Sequence, residues 1–351
     1  MEKENERMKE NKERILRYLL QLIDRDDPKY AKKTVDAFAV STSSVYNYVQ
    51  QLHRDGELVR DSSKKTGFSL PAKTFSFSYS TDAKLSEDRI FQTDIEPLLA
   101  GVPRNVYDIW YYCFTEMMNN AIEHSGAKDI VCRVTANALQ TRIMISDNGI
   151  GIFRNISDYL RETTGEDVPE RECAGYLFAG RFTTAKEHHT GEGIFFTSHL
   201  LDRFVIYSSG VVFTRNDFSD AQFDLAGDLP GGTAVNMALS NTSSKKLVDV
   251  FNRFSDVETG FSKTEIPMAH LFPNGYPVSR SEARRLFGMI RDFREVTLDF
   301  AGIENVGQAF VHEFFVLLPK ENPDQTVTLK NASKNVERMI LRVKNTPPPT
   351  N

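Results

Sequence analysis

Two short runs combine residue types that suit a phosphorylated, amine-bearing ligand. In Asp147-Asn148-Gly149-Ile150-Gly151, a carboxylate is followed by glycines on alternate positions. Such a carboxylate at a strand end can accept a hydrogen bond from an exocyclic amine, and the glycines let backbone approach a ligand closely. In Thr190-Gly191-Glu192-Gly193-Ile194, glycines open an apolar run, Phe195 to Leu201. Glycines at a helix start offer unpaired N–H groups and the positive end of the dipole to phosphate. A third pattern is Glu116, Asn120 and His124, spaced every fourth residue. Each pattern alone has a plainer reading: a turn, a Gly-rich loop, a solvated helix stripe.

The elements that must position these residues can be read from periodicity. Val106 to Ser125 reads as one long helix, with Trp110, Phe114, Met117 and Ala121 on its apolar face and the Glu116 stripe beside it. A hairpin follows, Asp129 to Thr135 and Thr141 to Ser146, and it delivers Asp147 at a strand end. Gly231-Gly232-Thr233 precedes the apolar strand Ala234 to Leu239.

In this order the motifs resemble the GHKL ATP-binding family, which includes type II topoisomerases, ATP-dependent chaperones, histidine kinases and anti-sigma-factor kinases. Glu116 to Ser125 is similar to the family's N box, Asp147 to Gly151 to its first glycine box, and Gly191 to Gly193 to its second. Gly231 to Thr233 resembles the late Gly-Thr motif, and Phe182 to Lys186 a Phe-x-x-x-Lys stretch ahead of the lid. The resemblance implies ATP with Mg²⁺. Asn120 would hold Mg²⁺, Asp147 would accept from the adenine amine with Thr233 assisting, and Gly149 and Gly151 would admit the ligand. Gly191 and Gly193 would wrap the phosphates, Lys186 would contact them, and Glu116 would act as general base. Residues 153–190 would be a mobile lid. The pair His188-His189 falls in it and reads as solvated surface rather than a metal pair, since adjacent histidines point apart.

Ahead of these motifs, helical spacing (Ile15, Leu16, Leu19, Leu20, Ile23), a short helix near Ala31 to Phe38, a third helix Ser43 to Leu52 and two short strands follow one another. Val40 to Tyr46 and Leu52 to Val59 resemble bacterial winged helix-turn-helix regulators. Ser43, Ser44, Tyr46, Asn47 and Gln50 would face DNA. Met1 to Leu70 holds 14 Lys and Arg against 12 Asp and Glu, a weak surplus for a counterion-releasing surface, so a protein-contact role stays open. Toward the other end, Leu298-Asp299-Phe300-Ala301-Gly302-Ile303 and its following helix are similar to STAS domains, and more closely to a STAS-like domain found fused to bacterial ATP-binding proteins. In the antagonists of that fold a phosphorylatable Ser opens the helix; Gln308 and Ala309 stand there here. That favours a protein-interaction module.

The expected fold class is α+β: a winged helix over 1–75, a central GHKL α/β sandwich over 82–240 with helices on one face of a mixed sheet, a small α/β STAS-like domain over 245–341, and a disordered tail over 342–351. In 351 residues, 26% are charged, 40% are hydrophobic and the net charge is −5. That is globular composition, with no run long enough to span a bilayer. A charged start, unlike a signal peptide, adds the expectation of a cytoplasmic protein. Cys113, Cys132 and Cys173 are too few and scattered for a disulfide framework or zinc cluster. Three functions stay in play: an ATP-gated switch with turnover, possessing protein partners or forming a homodimer; a Ser/Thr kinase of the anti-sigma type; and a non-enzymatic ATP-sensing transcription regulator. Histidine autophosphorylation is disfavoured, because His53 is the only histidine before His124 and sits within the winged-helix pattern.

Overall fold

The computed structural model describes residues 2–181, 191–215, 231–256, 258–272 and 275–345. Lys186, with Phe182 to Ala185 and His188-His189, lies outside them, as do 346–351 of the expected tail. Three helices come first: α1 (Glu2–Asp24), α2 (Tyr30–Phe38) and α3 (Thr42–Arg54). Ser41 caps α3, its Oγ accepting from Ser44 N–H at 3.1 Å. A two-stranded antiparallel ribbon, β1 (Val59–Arg60) and β2 (Phe68–Ser69), follows. Ile15, Leu19 and Ile23 of α1, Val45, Val49 and Leu52 of α3, Leu58 and Phe68 close a separate small core, on which Ala138 and Leu139 also pack.

Next come β3 (Lys73–Ser80), the short α4 (Glu87–Ile90), α5 (Arg104–Glu123), β4 (Asp129–Ala136), β5 (Gln140–Asp147), α6 (Ile152–Thr164), α7 (Glu170–Ala179), α8 (Gly193–Leu200), β6 (Arg203–Ser208), β7 (Val211–Thr214) and β8 (Thr233–Ser240). The strands form one sheet in the order β3-β4-β5-β8-β6-β7. Every neighbouring pair is antiparallel. This corrects the expected mixed sheet: β4–β5 and β6–β7 are hairpins, and β8 enters between them opposed to both, leaving no crossover that would make neighbours parallel. The sheet also begins earlier than residue 82. β3 pairs with β4 along its whole length, so residues 73–75, expected in the first domain, are sheet edge.

Alternation decides which face is covered. Ile130, Cys132 and Val134 of β4, Ile143 and Ile145 of β5, Val235 and Met237 of β8 and Phe204 and Ile206 of β6 are buried. Beneath α5 they meet Ile109, Trp110, Cys113, Phe114 and Met117.

The chain continues through α9 (Leu247–Phe254), the two-residue strands β9 (Ser255–Asp256) and β10 (Gly260–Phe261), β11 (Lys263–Pro267), α10 (Met268–Leu271), α11 (Arg280–Ile290), β12 (Glu295–Asp299), α12 (Gln308–His312), β13 (Thr326–Lys330) and α13 (Lys334–Lys344). β11, β12 and β13 pair in parallel, with helical crossovers as parallel strands require. Ser279 and Glu282 form a reciprocal capping box on α11. The α13 helix runs on to Lys344, into the stretch expected to be tail.

Within the stretch 153–190, the helices α6 and α7 bury Phe153, Ile156, Leu160, Cys173, Leu177 and Phe178; the many charges occupy their outer sides. The core under the large sheet is continuous with that of the parallel sheet, from Ile90 through Phe195 to Val343.

Candidate functional site

A cavity of about 330 Å³ lies between α5, α6 and α8 on one side and the ends of β5, β6 and β8 on the other, within the range of small-ligand sites. Its inner end is apolar, with Ile145, Ile206 and Val235 in the wall. Asp147 stands among them at the end of β5, 5% exposed. Gly149 N–H donates to its Oδ1 at 2.9 Å and Thr233 N–H to the same oxygen at 3.3 Å, leaving Oδ2 to accept from a ligand. Burial holds this carboxyl above the ordinary carboxylate range, and the two backbone donors pull the other way. The Thr233 hydroxyl accepts from Ile152 N–H at 2.9 Å, tying β8 to the start of α6.

The outer end is polar. Glu116 and Asn120, one turn apart on α5, face Gly191, Glu192 and Gly193 at the start of α8. The approach is close: a Cβ on Gly193 would sit 2.1 Å from Glu116 Oε2. Gly191 has φ +75°, a left-handed conformation that suits glycine. Glu192 is the N-cap of α8, and burial raises its carboxyl while the charge of Arg181 lowers it. Nearby, burial first and then the carboxylates of Glu116 and Glu192 push the Tyr112 phenol up.

The structure therefore brings Glu116, Asn120, Asp147, Gly191, Gly193 and Thr233 onto one cavity. Gly149 and Gly151 do not line it. A Cβ on Gly149 would meet the Ser125 carbonyl oxygen at 2.0 Å, and one on Gly151, at φ +86°, would meet Ser208 Oγ at 2.6 Å. Both glycines are required by protein neighbours, and they seat the β5–α6 turn against the end of α5 and against β6. Residues not singled out from sequence complete the wall: Ile152, Asn155 and Ile156 from α6, Leu177 from α7, and Glu192. Asn155 Nδ2 donates to the His124 carbonyl at 3.1 Å. The direction of the inner face of α6 is set by packing against distant parts of the chain, which the sequence does not show.

A nucleotide with a divalent cation fits these residues. The apolar end holds one carboxylate acceptor for an amine, and the polar end offers oxygen ligands from Asn120, Glu116 and Glu192. Among the described residues no group of three or more His, Cys, Asp or Glu can hold a metal by itself. A cation here would share its shell with phosphate and water, as Mg²⁺ does.

Residues 106–243 match the family model described as histidine kinase-, DNA gyrase B- and HSP90-like ATPase. Residues 282–337 match the model of a STAS-like domain of unknown function (DUF4325). This chain carries a GHKL-type ATPase domain and a STAS-like domain. A search of curated proteins found no match. The ATPase domain implies a nucleotide ligand, and among the described residues no helix is long and apolar enough to cross a membrane.

The ATPase and STAS-like domains meet on α7. While Leu177 faces the cavity, Gly175 packs so closely on Leu271 and Met289 that a Cβ would approach Leu271 Cδ2 to 2.9 Å. Glu172 and Arg285 form a salt bridge, and Thr264 Oγ1 donates to the Ala179 carbonyl at 2.9 Å. Arg215, just after β7, donates to Phe178 O at 2.7 Å, Ser198 Oγ at 2.9 Å and Glu265 O at 3.3 Å. Its guanidinium also lies over the rings of Phe178 and Phe195.

Proposed function

We propose that this protein binds ATP with Mg²⁺ in the cavity and acts as an ATP-gated regulatory switch. One observation carries the reading: residues from four separated motifs converge on a single cavity that is apolar around a carboxylate at one end and polar at a helix start at the other. Asp147 Oδ2 accepts from the adenine amine, with Thr233 fixing the Asp147 carboxylate through its N–H. Asn120 holds Mg²⁺, and Gly191, Gly193 and the opening N–H groups of α8 receive phosphate. Glu116, at the phosphate end, is the general base that orients water. Lys186 is a further phosphate contact in this scheme. Turnover resets the switch.

The output runs through the STAS-like domain, whose contact with α7 lies one helix face away from the cavity. The start of α12, Gln308 and Ala309, has no hydroxyl to take a phosphoryl group, which supports a protein-binding role for that domain. The N-terminal unit serves as a winged helix. Ser43, Tyr46, Asn47 and Gln50 are exposed on α3, in keeping with DNA contact; Ser44 is half-buried, its hydroxyl bonded to Ser41 Oγ at 2.8 Å. This unit packs on Ala138 and Leu139, at the opposite end of β5 from Asp147 and roughly 24 Å away.

Calorimetric titration with MgATP, phosphate release and DNA gel shifts with and without nucleotide, run together, test the proposal. Wild type should bind MgATP, Glu116→Gln should bind it but release phosphate at least about 100-fold more slowly, and DNA retention should change with nucleotide. No ATP binding by the wild-type chain refutes the whole reading.

A further inference from the structure

The strand β3 forms one edge of the large sheet. It pairs with β4 on one side, and among the described residues no strand lies on the other. Its 8 residues run without a bulge, and Lys73, at the first position, carries the only charge. Edge strands are ordinarily protected by charge, proline or a bulge, because their unpaired N–H and C=O groups invite a second strand. Thr81 N–H donates to the Lys128 carbonyl at 2.9 Å, in register with the β3–β4 ladder. Bonding alternates along an antiparallel pair. The odd-numbered residues of β3 therefore bond to β4, and Thr74, Ser76 and Ser78 point their N–H and C=O groups outward. All three residues are exposed. On the helix-covered face Phe75 is 38% exposed, beside the half-buried Phe77 and Tyr79. The Tyr79 hydroxyl donates to Asp94 Oδ2 at 2.8 Å.

We propose that β3 is a self-association edge, at which two copies of this chain pair antiparallel about a twofold axis at Ser76. The strand is complementary to itself in that register. Ser76 faces the partner's Ser76 and Thr74 faces the partner's Ser78, in hydrogen-bonded pairs that exchange about six backbone bonds in all. Phe75 then falls opposite the partner's Phe77 at non-hydrogen-bonded positions, where side chains come closest and aromatic pairs stabilise the sheet. Lys73 falls opposite the partner's Tyr79, whose hydroxyl holds a carboxylate, so a cation meets an anion at each end of the interface. A foreign strand would find the same backbone groups, whereas a second copy also supplies the aromatic and charge matches. The two sheets become one, and the N-terminal units are related by a twofold axis, as a palindromic DNA site requires. The pairing needs no nucleotide and stands apart from the ATP reading.

Analytical sedimentation of the full chain without nucleotide, at micromolar concentrations, provides the test for wild type, Ser76→Pro and Ser76→Lys. Proline removes an outward N–H that the single chain does not use, and lysine sets like charges across the axis. Wild type should be a dimer. Both variants should weaken dimerisation at least about tenfold, with circular dichroism unchanged. Ser76→Cys adds a readout independent of how those variants fold. A short bis-maleimide should link it into a dimer, and should not link wild type, whose cysteines are buried. A monomeric wild type overturns the proposal. A dimer that persists in both variants while Ser76→Cys is not linked overturns it too, by placing association elsewhere.

Discussion

Replacing Asp147 by Asn changes one atom type, and the surrounding bonds dictate what that does. Gly149 N–H and Thr233 N–H both donate to Oδ1. In Asp147→Asn the side-chain carbonyl oxygen must stay there, because the flipped amide would set an NH₂ against two N–H donors. The NH₂ then replaces Oδ2 and faces the cavity, where the adenine amine is also a donor. One bond to a charged acceptor is lost, worth about 1.5–3 kcal/mol, or roughly 10- to 150-fold in Kd. The fold should not suffer. Burial opposes the charge on Asp147, so the neutral isostere should leave the ligand-free melting temperature unchanged or raised. Inosine triphosphate has a keto oxygen in place of the amine, and the new NH₂ can donate to it. The variant should therefore prefer MgITP to MgATP, reversing the wild-type order. Paired calorimetric titrations with the two nucleotides, beside thermal melts without ligand, measure all three quantities. A variant that binds MgATP within twofold of wild type, or retains the wild-type preference, refutes the placement of adenine at Asp147.

The same carboxyl predicts a pH dependence. Its folded pKa lies above the ordinary 3.8, so MgATP affinity should weaken as pH falls through that raised value, and Asp147→Asn should titrate flat over the same window. The sign for folding is opposite: the raised pKa contributes stability at low pH that is lost as pH rises through it, which a melting-temperature series on the ligand-free protein would register. In Gly193→Ala the new Cβ falls 2.1 Å from Glu116 Oε2. The flexible carboxylate must swing aside, so phosphate release should drop at least about tenfold with folding nearly intact; an unchanged rate would remove Glu116 from the reaction. Arg215→Ala leaves the carbonyls of Phe178 and Glu265 without their buried donor, at a cost of about 3 kcal/mol. Because one core spans both domains, urea unfolding followed by fluorescence of Trp110, the sole tryptophan, and by circular dichroism should coincide; separated transitions would show that the domains unfold independently.

The amino-acid order alone specified what depends on near neighbours. Four-residue spacing aligns Glu116 with Asn120 on α5 whatever surrounds it, alternation marks β4 and β5 as strands with one buried face, and Ser41 caps α3 through a residue three positions on. The cavity side chains of the recognised motifs were legible for that reason. What failed to be legible depends on partners far along the chain. The glycines of the Asp147 motif look as though they make room for a ligand, yet Gly149 is required by Ser125 and Gly151 by Ser208. The charged run 155–171 does not show by itself which of its residues are buried. The neighbours set that: the sheet core beneath α6 and α7, and Leu271 and Met289 about a hundred residues downstream. The antiparallel order of the sheet, the membership of β3 and the continuity of the core from the ATPase domain to the STAS-like domain have the same origin. Local sterics and periodicity act over a few residues and are written in the sequence directly, whereas a buried face stays uncommitted until the fold brings another surface against it.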